Sequence, residues 1–114
     1  VVIGPSNPAI SIEPILAVAG HLIDPAKTLA VTPVVAGAAL KGPTVEMLRG
    51  IGREPTPTGI ALGYRQFAST FVLDHQDAHE AAEIHALGYR VAVLDTVMKG
   101  AGGRRRLAEE LLLL

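Results

Sequence analysis

Apolar and polar positions fall into alternating blocks along this chain of 114 residues. Short unbroken runs of β-formers stand at Val1-Val2-Ile3 and at 29–32, 70–73 and 89–94. Between them apolar residues recur at helical spacing: Ile12, Ile15, Leu16 and Ala19, then Val45, Leu48 and Ile51, then Ile60, Ala61, Tyr64, Phe67 and Ala68. Leu107, Leu111 and Leu114 repeat the pattern at the end of the chain. A period near 3.6 predicts amphipathic helices, and short apolar runs between turn formers predict buried strands. Ser11 reads as the N-cap of the first helix, Pro14 falls in its first turn, where a missing N–H costs little, and Gly20 ends it. A loop through Asp24-Pro25 follows. The second helix opens at Pro43 or Thr44 and is ended by Gly50 and Gly52, and Thr58 caps the third. Asp77 with Glu80 three residues on resembles a capping box for a helix that Gly88 terminates after Leu87. Gly100, Gly102 and Gly103 predict a flexible break before the last helix.

Strands alternating with helices mean βαβ units, so the fold class is α/β: a Rossmann-like parallel sheet with helices on both faces. Right-handed crossovers then bring the carboxyl end of every strand to one edge of the sheet, where ligands of such folds bind. Three segments meet there: 4–8, 33–43 and 95–98. The chain opens inside a strand, without methionine. Domains seldom begin within an element, so residues 1–114 are expected to be part of a larger domain that lacks its N-terminal portion.

Composition narrows the picture. Apolar residues make up 49% of the chain, yet it has two tyrosines, two phenylalanines and no tryptophan. The core must therefore come from Val, Leu, Ile and Ala, as in sheets of buried parallel strands. Ten basic residues nearly balance eleven acidic ones, for a formal net charge of −1. No polyanion-binding surface follows, and nucleic acid is not expected as a partner. The absence of cysteine excludes disulfides and thiolate metal sites and suits a cytoplasmic setting. The apolar runs are far shorter than the roughly 18 residues a spanning helix needs, so no membrane partner is expected.

Five groups of residues could carry chemistry. In Gly4-Pro5-Ser6-Asn7-Pro8, an aliphatic strand stops at a locked loop with two small polar side chains. That loop either presents amides and hydroxyls to a phosphate or a base edge, or is a tight strand-to-helix turn. Lys41 stands between Leu40 and Gly42 in a loop otherwise nearly free of charge. It reads as a cation aimed at phosphate or as a solvated lysine. Neither loop matches a Walker A or dinucleotide fingerprint. His75 and His79 with Asp74 and Asp77 are more simply caps and surface than a metal site. Asp95-Thr96 at a strand end is read as a cap, and Arg104-Arg105-Arg106 as a solvated face.

Taken together, the two Gly-Pro loops resemble a known family. GPSNPAISIEPIL followed by TPVVAGAALKGP is similar to the CofD family of 2-phospho-L-lactate or phosphoenolpyruvate transferases of coenzyme F(420) biosynthesis. The likeness continues through Gly59-Ile60-Ala61 and Tyr64, Val72-Leu73-Asp74 with Asp77-Ala78, and Asp95-Thr96-Val97-Met98. It covers nearly all of this chain and corresponds to the C-terminal part of a family member. The resemblance implies transfer of a phospholactyl or phosphoenolpyruvyl group from a guanosine-diphosphate-activated donor to the ribitol hydroxyl of a deazaflavin, releasing GMP, with magnesium assisting. It implies that Gly4, Ser6, Asn7, Gly37, Lys41 and Gly42 line the nucleotide and substrate pocket. Magnesium ligands and catalytic groups are expected outside this chain, which alone should be inactive. Homo-oligomerisation stays open. The chain departs from the family pattern at Ala36-Gly37, where Gly-Gly is usual, and at Glu13, Ala19-Gly20 and Gln66. A nucleotide-sugar-binding regulator of the gluconeogenesis-factor type is the alternative, with a comparable KGP loop but a first loop closer to Gly-Pro-Gly-Ser. A fragment without function is the third reading.

Overall fold

A computed structural model describes residues 1–39 and 43–114, with backbone only at Ala39. Four parallel strands form the main sheet: β1 (Val2–Ile3), β2 (Leu29–Val31), β5 (Thr70–Asp74) and β6 (Arg90–Leu94). Their spatial order is β1-β2-β5-β6, the same as their order in sequence. A two-stranded antiparallel hairpin, β3 (Val34–Val35) and β4 (Ala38–Ala39), stands apart from this sheet. The helices are α1 (Glu13–Ala19), α2 (Thr44–Gly50), α3 (Pro57–Tyr64), α4 (Ala81–Ala86) and α5 (Gly100–Leu112).

Register explains the two faces. Ile3, Ala30, Phe71 and Val91 lie side by side across the sheet. This row packs with Leu16, Leu48, Ile60, Tyr64 and Ile84 in one core cluster, so α1 to α4 cover one face. Strands added in one direction by right-handed crossovers put all their connecting helices on that side. Side chains alternate along a strand, so the next row, Val31, Val72 and Ala92, faces the other way. Val31 and Val72 are fully buried there. The second face belongs to α5: Leu107 is buried, and Leu114 lines a cleft with Leu29, Thr70 and Arg90. Parallel strands buried on both faces read as continuous apolar runs, which is why Phe71-Val72-Leu73 was legible as a strand.

Local chemistry differs from the sequence reading at several element ends. Asn7, not Ser11, is the first cap: its Oδ1 accepts from Ala9 N–H at 2.9 Å. It opens a π-helical segment, Pro8–Ile12, that runs directly into α1. Gly20 does not stop the run, which continues as a 3-10 turn, Gly20–Leu22. Gly20 is instead a close-approach position, where a Cβ would stand 2.7 Å from the Phe67 ring. Thr56, not Thr58, caps α3 by accepting from Gly59 N–H at 3.1 Å. Thr58 donates its amide and hydroxyl to Glu80 Oε1, at 3.1 and 2.6 Å. The capping box at Asp77 is absent: Asp74 caps the 3-10 segment His75–Glu80 that precedes α4. Gly100, Gly102 and Gly103 are no break but the first turn of α5. There Gly103 packs close against the backbone of Met98, where a Cβ would make a tight contact at 3.2 Å.

Candidate functional site

The carboxyl ends of the four strands gather the segments expected to meet there. A cleft of about 210 Å³ lies between the loop after β1 and the start of α2, lined by Pro5, Ser6, Asn7, Ile10, Ser11, Pro33, Pro43 and Thr44. Ser6 and Asn7 are thus brought together with both proline ends of the 33–43 segment. Gly4 precedes them and accepts from Ser6 N–H at 2.8 Å through its carbonyl. Gly37 sits at the hairpin turn, not among the lining residues. Lys41 and Gly42, with Leu40, lie outside the described residues.

The two polar side chains of the first loop play different parts. Ser6 is exposed, and its hydroxyl has no partner among the described residues. Asn7 is buried and committed: its Oδ1 caps Ala9, its Nδ2 donates to Met47 Sδ at 3.4 Å, and its carbonyl accepts from Ser11 and Ile12 N–H. Asn7 therefore fixes the loop against α2, while the exposed Ser6 hydroxyl is unpartnered among the described residues.

The segment 33–43, read from sequence as an irregular loop, contains the β3–β4 hairpin. Its turn has Ala36 at φ 51° and Gly37 at φ 80°. Two successive left-handed residues are the turn that suits the twist of a two-residue hairpin loop, and Gly is the residue that takes it without steric penalty. At the base, the Thr32 hydroxyl donates to Val34 O at 2.8 Å, and its oxygen faces Val34 N at 3.2 Å. At the tip, Ala36 N–H donates to Asp77 Oδ2 at 2.9 Å.

Asp74 ends the central strand and is wholly buried. Its Oδ1 accepts from Gln76 N–H at 2.9 Å, and its Oδ2 from the Thr96 amide and hydroxyl at 2.8 and 3.1 Å. Burial alone would push this carboxyl up. The bonds from Gln76 and Thr96, aided by His75 at 3.4 Å, outweigh it and hold the group below the ordinary carboxylate value. Asp74 thus ties the loop after β6 to the loop after β5. Asp95 accepts from Val97 N–H at 3.3 Å, a local turn bond, but caps no helix, since α5 opens only at Gly100 after Lys99. Of the arginine triplet, Arg105 pairs with Glu109 at 3.1 Å, and Arg106 with Glu110 at 3.2 Å, while Arg106 also donates to Asp95 O at 2.9 Å.

These carboxylates do not fit a magnesium site. Asp74, His75 and Asp95 approach one another, as do Asp77, His79 and Glu80. A magnesium ion takes near-octahedral oxygen ligands and keeps several waters. Asp74 is wholly buried with both oxygens spoken for, and Asp95 faces the Arg106 guanidinium. Asp77 and Glu80 hold Ala36 and Thr58.

A parallel α/β sheet with a cleft at its carboxyl edge, flanked by a Gly-Pro-Ser-Asn-Pro loop, defines a unit of the Rossmann-like class, whose members bind ligands at that edge. No protein-family profile matches the chain. It is 36% identical over 111 residues to a 2-phospho-L-lactate transferase of Methanosarcina acetivorans, covering 96% of this chain and 36% of that relative. A protein of the same name from Methanocaldococcus jannaschii is 33% identical over 114 residues, covering 98% of this chain and 36% of the relative. One from Halobacterium salinarum is 40% identical over 80 residues, covering 68% and 24%. The chain corresponds to the C-terminal portion of the CofD family of 2-phospho-L-lactate transferases, and spans about a third of the length of the curated relatives it matches. Among the described residues no helix is long and apolar enough to cross a membrane.

Proposed function

We propose that this chain supplies one side of the substrate pocket of a CofD-type transferase in coenzyme F(420) biosynthesis. The complete protein would move a phospholactyl or phosphoenolpyruvyl group from a guanosine-diphosphate-activated donor to a deazaflavin alcohol. The alcohol oxygen loses its proton to a base and bonds to the phosphorus that carries the three-carbon acid, the P–O bond to the bridging oxygen breaks, and GMP leaves with that oxygen and the electron pair. The observation that carries this reading is an alignment along nearly the whole chain with relatives named 2-phospho-L-lactate transferase. A cleft lined by Pro5, Ser6 and Asn7 at the ligand-binding edge supports it.

In this reading Gly4, Ser6, Asn7, Gly37, Lys41 and Gly42 form the nucleotide and substrate side of the pocket. Ser6 contributes its hydroxyl to the phosphates or the base edge, Asn7 holds the loop in place, and Lys41 offsets charge on the diphosphate. Magnesium would neutralise charge that builds on the phosphates, and its ligands come from residues outside this chain. This chain alone is then inactive, and the working protein is cytoplasmic, with homo-oligomerisation open.

The test uses the complete reading frame with the donor and the deazaflavin alcohol, and reads GMP. Release of GMP is the expected result. Tight nucleotide-sugar binding without GMP would replace the transferase reading with the regulatory one. Lys41→Ala should weaken the donor about tenfold and leave the deazaflavin nearly unchanged, since it removes one charge-assisted contact. Equal effects on both ligands would remove Lys41 from the diphosphate.

A further inference from the structure

A loop that cradles phosphate needs backbone amides to offer, and those of the loop after β1 are already committed. Pro5 and Pro8 have no N–H. The amide of Ser6 donates to Gly4 O at 2.8 Å, and that of Ala9 to Asn7 Oδ1 at 2.9 Å. The amides of Ser11 and Ile12 both donate to Asn7 O, at 3.0 and 3.2 Å. No described residue that lines the cleft carries a charge. Pro5 and the exposed Ile10 make this side of the cleft apolar, and an anion laid against it would lose water without gaining partners.

What this side does offer is two hydroxyls. Ser6 is exposed, Ser11 is half-buried, and neither side-chain oxygen has a partner among the described residues. Ser11 reaches the cleft from the π-helical segment Pro8–Ile12, in which Asn7 O accepts from residues four and five positions on. Such turns are rare and recur at functional sites. Apolar surface with a few neutral polar groups suits a flat heteroaromatic ring, apolar on its faces and polar along its edge. A hydroxyl donates and accepts, so it can meet either a C=O or an N–H on that edge. We infer that residues 5–11 receive the uncharged ring of a substrate, with Pro5 and Ile10 against its face and Ser6 and Ser11 at its polar edge. The phosphates then lie elsewhere. The inference rests on the transferase reading only for which rings are on offer, the guanine of the donor or the deazaflavin of the acceptor.

The experiment uses the complete protein and four variants: Ser6→Ala, Ser11→Ala, Ser11→Thr, and Ser6→Ala combined with Ser11→Ala. Calorimetry measures four probes on each: GDP, guanosine, inorganic pyrophosphate and the deazaflavin alcohol. Pyrophosphate has the phosphates without the ring, and guanosine the ring without the phosphates. The double variant should weaken the ligand whose ring sits there about tenfold, the loss of two neutral hydrogen bonds, and leave pyrophosphate within about twofold. Each single alanine variant should lose about threefold. If the ring is guanine, GDP and guanosine weaken by the same factor and the deazaflavin is unchanged. If it is the deazaflavin, that alcohol alone weakens. Ser11→Thr keeps the hydroxyl and should bind like the wild type. Pyrophosphate weakened as much as GDP would make this side a phosphate site and overturn the inference. Ring-bearing probes that bind the double variant as tightly as the wild type would also overturn it, and GMP release by that wild type would leave the transferase reading standing. A wild type that releases no GMP, while the double variant loses guanosine or deazaflavin, overturns the transferase reading and keeps the ring site. A wild type that binds no ring-bearing probe overturns both.

Discussion

On one side of the cleft the chain is held by its near neighbours. Asn7 caps Ala9 two residues on, and its carbonyl takes the amides of Ser11 and Ile12. On the other side Pro33 leads into a hairpin whose tip is fastened by Asp77, from a different loop. The third segment at this edge resembles the second: Thr96, after β6, is fastened by Asp74, which is 22 residues earlier. The bonds within the first loop can form as soon as its own few residues are in place, with Met47 of α2 joining later through Asn7 Nδ2, whereas the other two segments need β5 seated between its neighbours. One edge of the sheet thus combines a locally specified loop with loops specified by the fold.

The largest test of this contrast is Asp74→Ala. It leaves the buried amides of Thr96 and Gln76 and the Thr96 hydroxyl without their acceptor, at a cost of about 3 kcal/mol in urea unfolding. A loss under about 1 kcal/mol would mean that the loop after β6 is held otherwise. Acid gives a second measure of the same tie. The folded carboxyl of Asp74 titrates below its ordinary value, so its contribution is complete above the unfolded value and is lost as the pH falls through the lowered folded one. Stability should therefore drop steeply at the acid end in the wild-type chain and less steeply in Asp74→Asn. Parallel curves would separate Asp74 from the acid limb.

On the local side, Asn7→Ala removes an N-cap and should cost about 1 kcal/mol. The effect should be confined to the first loop, with Thr96 and Ala36 amide exchange unaltered. Spread of the change to those amides would break the distinction between the segments. The smallest expected effect is of opposite sign: Ala36→Gly relieves the left-handed alanine and should stabilise the chain by about 0.5 kcal/mol. A destabilised variant would mean that the alanine methyl makes a contact worth more than its strain.

What could be read from sequence follows the same division. The apolar runs at Phe71-Val72-Leu73 and at 89–94, set between helical repeats, were enough for a parallel α/β sheet. The order of the loops then placed Ser6 and Asn7 beside the proline ends of 33–43. Element ends were less legible, because Ser11 and Asn7, or Thr58 and Thr56, are equally good caps by type. Only the direction of entry from the preceding strand decides between them. The hairpin hid in 33–43 because its strands are two residues each, too short for alternation to show. Asp77 looked like half of a capping box because the spacing to Glu80 is right. Its partner, 41 residues away, leaves no trace in local spacing. The glycines of α5 looked like a hinge by propensity, yet they form its first turn, with Gly103 close against the Met98 backbone.

The strand order β1-β2-β5-β6 has a consequence for the birth of the molecule. Each strand joins the outer side of the one made before it, so no later strand has to be wedged between two that are already paired. During synthesis, when the chain emerges from its N-terminal end, the sheet can grow by accretion. The carboxylates of Asp74 and Asp77 arrive with β5 and the turn after it, the third of these four strands. One reaches back to a turn already made and the other forward to a loop not yet translated. β5 is therefore the point in synthesis at which the edge that carries the cleft begins to take its final shape.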